Sequence, residues 1–317
     1  MVHFLAATDI PAFVRHLVRR LKVLCPTMGK KRIAQMLARA GLHLGVTTVG
    51  RMLKDDEAPP APAESGAGEE PEEKNAYKPV RSKYANHVWL VDLTVAPTSA
   101  GFWAAWLPFT LPQVWPFCWW IACVVDHYSR RVMGFALFWK EPCSIDIRRS
   151  LGRAIARGGT APKYLISDKG GQFTSGEFKK WCRRRNIEPR YAAGGQRGAT
   201  SVIERFLKSM KEEWLGRGVV PFRRVSMRRH VSLYLEWFLE FRPHQGLDGQ
   251  TPQEVYEGRE PANKKARWEP RPKWPTNSPC ASPQAKPRKR RASRLSIVVR
   301  FHAGSRHLPI VEVKRVA

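Results

Sequence analysis

The chain has 317 residues, enough for about two domains, and 43% of them are hydrophobic, which excludes wholesale disorder. Lys and Arg number 55 against 27 Asp and Glu, a formal charge of +28. A compact body with that excess repels itself, so the composition calls for a polyanionic partner: nucleic acid or an anionic membrane.

The excess is uneven. Between Asp55 and Glu73 eight residues are acidic and none is basic, which leaves +36 over the rest of the chain. The N-terminus lacks the basic and long apolar regions of a signal peptide. Pro97 to Val125 carries no charge and holds Trp103, Trp106, Trp115, Trp119 and Trp120. A membrane-spanning helix needs about 20 continuous residues, and Pro108, Pro112 and Pro116 break any such helix. A buried hairpin with a Trp-rich excursion is expected instead, and no membrane partner. The six cysteines (Cys25, Cys118, Cys123, Cys143, Cys182, Cys280) form no Cys-x-x-Cys pair and stand at no zinc-finger spacing from a His. They read as small apolar residues of a reducing cytoplasm.

In chain order, Asp9 can cap a first helix that holds Pro11 in its first turn and runs to about Lys22. A second starts near Lys30, with Ile33, Met36, Leu37 and Ala40 at helical spacing, and Gly41 ends it. Thr47 or Thr48 opens a third, short helix with Thr48, Arg51 and Lys54 on its exposed face. Residues 1–54 therefore read as a helix-turn-helix-like DNA-binding region or as a generic basic helical bundle. Residues 55–85 form an acidic, Pro-rich linker with too little hydrophobicity for a core.

From residue 86 to 260 the pattern is α/β. Strands are expected at His87–Thr94, Trp119–Asp126, Arg131–Trp139, Lys163–Ser167 and Glu188–Tyr191, the second and third joined as a hairpin. Helices are expected at Ser144–Arg157, Ser175–Arg185, Ser201–Leu215 and Ser226–Phe241. Residues 261–294 are a basic, Pro-rich segment that includes Arg288, Lys289, Arg290 and Arg291. Residues 295–317 read as a small β hairpin or module, with strands Leu295–Phe301 and Leu308–Val313.

Three carboxylates stand out. Asp92 lies inside the first apolar strand, where a buried charge needs a compensating partner. Asp168 follows a second strand and precedes Gly170 and Gly171, at a strand end of the kind where α/β sites gather. Glu204 lies one turn into an amphipathic helix, and 35 residues separate it from Asp168. Three carboxylates from two strands and a helix make a hard-oxygen site suited to Mg²⁺ or Mn²⁺ and not to zinc. Two such ions would clamp an in-line phosphoryl displacement, with Asp92 as the bridging ligand. Lys208 and Lys211 share a helix face with Glu204, either as an ion-paired stripe or as phosphate contacts. Lys169 is a third candidate phosphate contact, and Asp126 is expected to organise a turn.

Residues 86 to 257 resemble the catalytic core of retroviral-type integrases and insertion-sequence transposases. The resemblance rests on Trp89-x-x-Asp92-x-Thr94, on Val125-Asp126-x-x-Ser129-Arg130 and on Ser167-Asp168-x-Gly170-x-x-Phe173. It rests also on Ile203-Glu204-Arg205-x6-Glu212 with Lys208 and Lys211, and on His244-Gln245-x-Leu247-x4-Pro252-x-Glu254. It implies an RNase H-like mixed sheet flanked by helices, with Asp92, Asp168 and Glu204 as catalytic metal ligands. It implies DNA end cleavage and strand transfer by a polynucleotidyl transferase, without a covalent protein–DNA intermediate. Double-stranded DNA, as element ends and target, is then the partner, bound by a homo-oligomer at the nucleoid.

Two departures stand beside this. Ala199 and Thr200 occupy positions where many transposases carry Asp-Asn, and the retroviral His-His-Cys-Cys zinc domain is missing. A catalytically inactive or truncated DNA-binding relative of the same fold is the alternative, and a nuclease that only hydrolyses is a third.

Overall fold

The apolar run around Trp89 forms β1 (Val88–Pro97), the middle strand of a five-stranded sheet. The computed structural model describes residues 12–54, 81–98, 115–192, 200–262 and 294–316. The acidic stretch 55–80, the Trp-rich excursion over 99–114, Ala199, the basic run Arg288–Arg291, and Asp9 with Pro11 lie outside the described residues. The described residues fall into two units.

The larger unit comprises residues 58–242 and 251–259. Its strands are β1, β2 (Cys118–Asp126), β3 (Val132–Phe138), β4 (Tyr164–Ser167) and β5 (Glu188–Tyr191). They stand in the order β3-β2-β1-β4-β5. β1, β2 and β3 pair antiparallel, whereas β4 joins β1, and β5 joins β4, in parallel. Between and after them come α4 (Ser144–Gly158), α5 (Gly171–Thr174), α6 (Gly176–Arg183), α7 (Ser201–Glu213), α8 (Arg224–Glu240) and α9 (Pro252–Glu257). This is the RNase H-like mixed sheet flanked by helices.

Alternation along β1 sorts its side chains. Trp89 and Val91 join Ala122, Val124, Met133 and Ala136 beneath Ile147, Leu151 and Ala154 of α4, in one continuous core. α4 approaches closely because β3 carries Gly134 there; a Cβ at that position would stand 3.1 Å from the Ala154 Cβ. The other face takes α7, which packs against β1 and β2, and α8, which packs against β3. These two helices meet through a T-shaped Phe206–Phe238 pair at 5.1 Å and a stacked Trp214–His230 pair at 4.5 Å.

Element boundaries moved by one to three residues, β1 running on to Pro97 and β7 to Val316. The expected helix over Ser175–Arg185 is two helices with a break at Ser175, whose extended backbone (ψ 146°) lets its hydroxyl cap α6 by accepting from Phe178 N. The glycines before it lead into a four-residue helix, not a turn alone. α7 stops at Glu213, and a 3₁₀ turn over Leu215–Arg217 follows. α9 was not expected; Thr251 and Glu254 form its capping box, with Pro252 in its first turn.

The smaller unit comprises residues 1–57, 243–250 and 260–317. Its helices are α1 (Ala12–Leu24), α2 (Lys30–Arg39) and α3 (Val46–Lys54). They bury Leu17, Val18 and Leu21 against Ile33, Leu37, Val49 and Met52. Gly41, at φ 93°, turns the chain out of α2 while Leu42 N donates to Leu37 O. α3 opens at Val46, just before the expected Thr47. β6 (Arg294–Phe301) and β7 (Pro309–Val316) pair antiparallel. The Cys25 thiol donates to His307 O at 3.3 Å. No helix among the described residues is long and apolar enough to cross a membrane.

One ion pair is sealed inside the larger unit. Arg242 Nε and Nη2 donate to the two oxygens of Glu213 at 2.8 and 2.5 Å, and Tyr234 OH donates to the same carboxylate. Arg242 is 1% exposed and Glu213 6%. Removing one partner of such a pair leaves the other charge buried and uncompensated, at a cost of about 3–5 kcal/mol. Arg242→Ala is therefore expected to lower the unfolding free energy, read from the urea transition by Trp fluorescence, by that order. Lys208→Ala, which breaks only an exposed 3.8 Å pair with Glu212, is expected to cost under about 1 kcal/mol.

Candidate active site

Asp92 sits at the middle of β1, opposite Cys123 of β2, which in turn stands opposite Phe135 of β3. Register partners point to the same face of a sheet, so these three share the face covered by α7 and α8. Asp168 follows the last residue of β4, the parallel neighbour of β1, and is exposed. Glu204 lies in the first turn of α7 and is also exposed.

The three carboxylates act on one another. Burial pushes the Asp92 carboxyl up from 3.8 to about 6, against the pull of the Leu93 N–H. The negative charges of Asp168 and Glu204 add to the rise, and Lys211 opposes it. The sheet and α7 thus bring Asp92, Asp168, Glu204 and Lys211 into one electrostatic neighbourhood. Burial also pushes the Cys123 thiol up, and the Asp92 charge pushes it further, so the sulfur beside the site stays a neutral thiol, a poor ligand.

Each carboxylate has a local partner. Leu93 N donates to Asp92 Oδ1 at 2.7 Å, Gly170 N to Asp168 Oδ1 at 3.2 Å, and the Thr200 hydroxyl to Glu204 Oε1 at 2.5 Å. Among the described residues no three His, Cys, Asp or Glu side chains are drawn together into a metal-holding group. The donor chemistry nonetheless fits a hard divalent cation: three carboxylate arms, one of them raised by burial and further by its neighbours' charge, the part a cation between them would relieve.

Of the other sequence candidates, Lys208 is exposed and pairs with Glu212, not with Glu204. Lys211 is exposed and lines a cavity of about 530 Å³ at the end of β1, with Val95, Thr98, Leu215, Val219 and Val220. Lys169 is exposed beside Asp168. In the smaller unit, Arg51 and Lys54 are exposed on α3 and Thr48 is half-buried. Asp126 is a turn organiser: its Oδ2 accepts from Ser129 N and Oγ at 2.8 and 2.6 Å, and its Oδ1 from Asn86 N at 2.9 Å. Thr200 and Cys123 escaped the sequence reading as site residues. The four-residue step from Thr200 to Glu204, one helical turn, was the available signal for the first.

Two family models match, both described as integrase core domain, over residues 83–196 and 185–252. Among curated proteins, the transposase for insertion sequence element IS904 of Lactococcus lactis subsp. lactis (strain IL1403) is 23% identical over 171 residues. That alignment covers 53% of this chain and 60% of the relative. Transposase InsF for insertion sequence IS3A of Escherichia coli (strain K12) is 25% identical, with 53% of each chain covered. The chain thus spans between half and two-thirds of the length of these relatives. Among solved structures, the simian T-cell lymphotropic virus intasome matches with TM-score 0.44 and 19% identity, over 69% of this chain and 64% of that one. The HTLV-2 integrase catalytic core domain in complex with magnesium matches with TM-score 0.41 and 18% identity, over 56% of this chain and 99% of that one.

The raised Asp92 carboxyl has a consequence for stability. Its folded value near 6 lies above the unfolded one, so the ionised form penalises folding at pH 7, and the penalty fades as pH falls through 6 towards 3.8. Asp92→Asn is expected to be more stable than the parent at pH 7.5 in EDTA by about 2–3 kcal/mol, at about 1.4 kcal/mol per unit. The two unfolding curves should converge below about pH 4. A variant that is equally stable at both pH values would contradict the placement of Asp92.

Proposed function

We infer, for a chain that belongs to the DDE transposase/integrase core family through residues 83–252, that it cleaves DNA ends and transfers them into target DNA. The observation that carries this reading is the convergence on Asp92 of the Asp168 and Glu204 charges, delivered by a neighbouring strand and a covering helix. Such a set of hard oxygen donors serves phosphoryl transfer on a polyanion.

Asp92, Asp168 and Glu204 are the residues that would hold Mg²⁺ or Mn²⁺, as two ions, and the bound metal would supply positive charge to the scissile phosphodiester. The chain's own cations do the remaining positioning. Lys211, close enough to act on Asp92, holds a phosphate of the DNA end over the carboxylates, and Lys208 and Lys169 hold neighbouring phosphates. Water and then the DNA 3′-hydroxyl are the nucleophiles, so no side chain becomes linked to DNA. Thr48, Arg51 and Lys54 on α3 contact the element ends, and Arg288, Lys289, Arg290 and Arg291 add sequence-independent phosphate contacts. Two ends must be held at once, which makes the working form a homo-oligomer on DNA, at the nucleoid.

The second reading, a DNA-binding relative without catalysis, is favoured by one observation: Thr200 already occupies Glu204 Oε1. Labelled element ends, a target plasmid and Mg²⁺ separate the two. Joined products are expected from the parent chain. Glu204→Gln is expected to lower strand transfer by at least about 10³-fold, while DNA affinity in a filter-binding assay changes less than about twofold. Undiminished joining by that variant would sink the assignment of Glu204, and binding with neither nicks nor joints would favour the second reading.

A further inference from the structure

The cavity at the end of β1 has walls from two elements. β1 supplies Ala96 and Pro97, while the 3₁₀ turn after α7 and the chain beyond it supply Leu215, Gly218 and Val219. Its volume is about 530 Å³, and Val219 on its rim is 73% exposed, so the cavity is open to solvent. Among the described residues on the wall, Thr98 carries the only hydroxyl and Lys211 the only charge. Thr98 is already engaged: its hydroxyl donates to Phe117 O at 3.0 Å and also to Pro116 O. What remains is an apolar hollow with one lysine at its edge.

Lys211 ties this hollow to the carboxylates. Its charge acts on Asp92, and it stands seven residues after Glu204 on α7, about 10 Å at 1.5 Å per residue. Val95, on the β1 side, stands three residues after Asp92, again about 10 Å. Phosphates on one strand of DNA recur about every 3.4 Å along the axis, so the cavity begins about three nucleotides from the carboxylates. Glu204, Lys208 and Lys211 are all exposed on α7. A strand therefore reaches the cavity along the outer side of α7, and not through the layer between α7 and the sheet.

We propose that this cavity receives one unpaired base of the DNA end, within about three nucleotides of the phosphodiester under attack, while Lys211 holds that nucleotide's phosphate. A base is the neutral, flat part of a nucleotide, and it suits walls that offer apolar surface and no free hydrogen-bonding side chain. The same walls predict acceptance by shape, with little preference among the four bases. Leaving the stack costs least for a base that is already unpaired, which is the situation at a frayed end. An apolar side chain of a partner protein also suits the walls, yet it gives the lysine at the edge nothing to neutralise. The inference rests on the proposed action on DNA ends and adds to it where a base of the end goes.

Gly218 gives the test a clean variant. Its backbone is extended (φ −163°, ψ −177°), and a Cβ placed there meets no atom within 4 Å. Gly218→Leu therefore occupies the cavity without backbone strain. The full chain is mixed with a 30-base-pair duplex whose last three pairs are mismatched, with 2-aminopurine at each mismatched position in turn. Its fluorescence is expected to change at least twofold at one position with the parent chain, and to stay at its free level with Gly218→Leu. That variant is expected to bind the mismatched end at least fivefold more weakly than the parent, and to bind equally well once the reporting base is replaced by an abasic site. No change at any position with the parent chain overturns the proposal, as does an undiminished change in a Gly218→Leu chain with the parent's unfolding midpoint, or equal weakening on the abasic end. Should Gly218→Leu not fold, 4-thiothymidine at the same positions must photo-cross-link the parent chain within residues 215–220, and cross-links confined to other segments overturn the proposal. Failure of the parent to join ends while the fluorescence change persists bears on the proposed function alone; joining without any change overturns the cavity assignment alone.

Discussion

The constraint on which the larger unit turns is a carboxylate placed where a protein would rather have none. Asp92 occupies the centre of the middle strand, half-buried; that burial, with two further negative charges nearby adding to it, raises its carboxyl to about 6. A strand under that penalty stays in place only if its other contacts are strong. β1 is paired from Trp89 to Pro97 with β2 and at Val88, Trp89 and Leu90 with β4. Its opposite face buries Trp89 and Val91 in the main core. Each buried side chain of that size contributes about 1.5–3 kcal/mol, so two or three of them offset the electrostatic cost. The site's repulsion and the core's cohesion are arranged on the two faces of one strand.

The same logic explains the investment in α7. A helix that carries one arm of a repelling trio at its start must be anchored elsewhere. Its far end is held by Glu213, locked by Arg242 and Tyr234 in a buried network, and by Trp214 Nε1 donating to His230 O at 2.8 Å. Phe206 against Phe238 fixes the middle. Glu204 and Lys211 therefore project from a rigid rod, and the adjustable joint is the exposed Thr200–Glu204 contact at its start. A hydroxyl can exchange one partner for another at low cost, so this joint keeps Glu204 ordered without committing it.

Much of the larger unit was legible because its elements obey simple periods. The five strands, the long helices and the turn-organising role of Asp126 follow from alternation, helical spacing and turn chemistry. What escaped depended on contacts closed in three dimensions or on exchanges between neighbours. The break at Ser175 needed a serine chosen as a cap over a helix interior. The capping box at Thr251 and Glu254 was written in the residues but served as a motif, not as a helix start. Glu213 and Arg242 look like surface charges until two helices fold them together.

The excess positive charge acquires a spatial meaning from these pieces. An isolated negative site in a chain of net +28 is not drowned by that charge, because exposed cations more than a Debye length away are screened at ordinary ionic strength. Only nearby cations count, and one of them, Lys211, touches the field of Asp92. A polyanion approaching Asp92, Asp168 and Glu204 would therefore meet a repulsion that Lys211 only partly offsets, so its final approach would depend on the positive charge those three carboxylates have gathered.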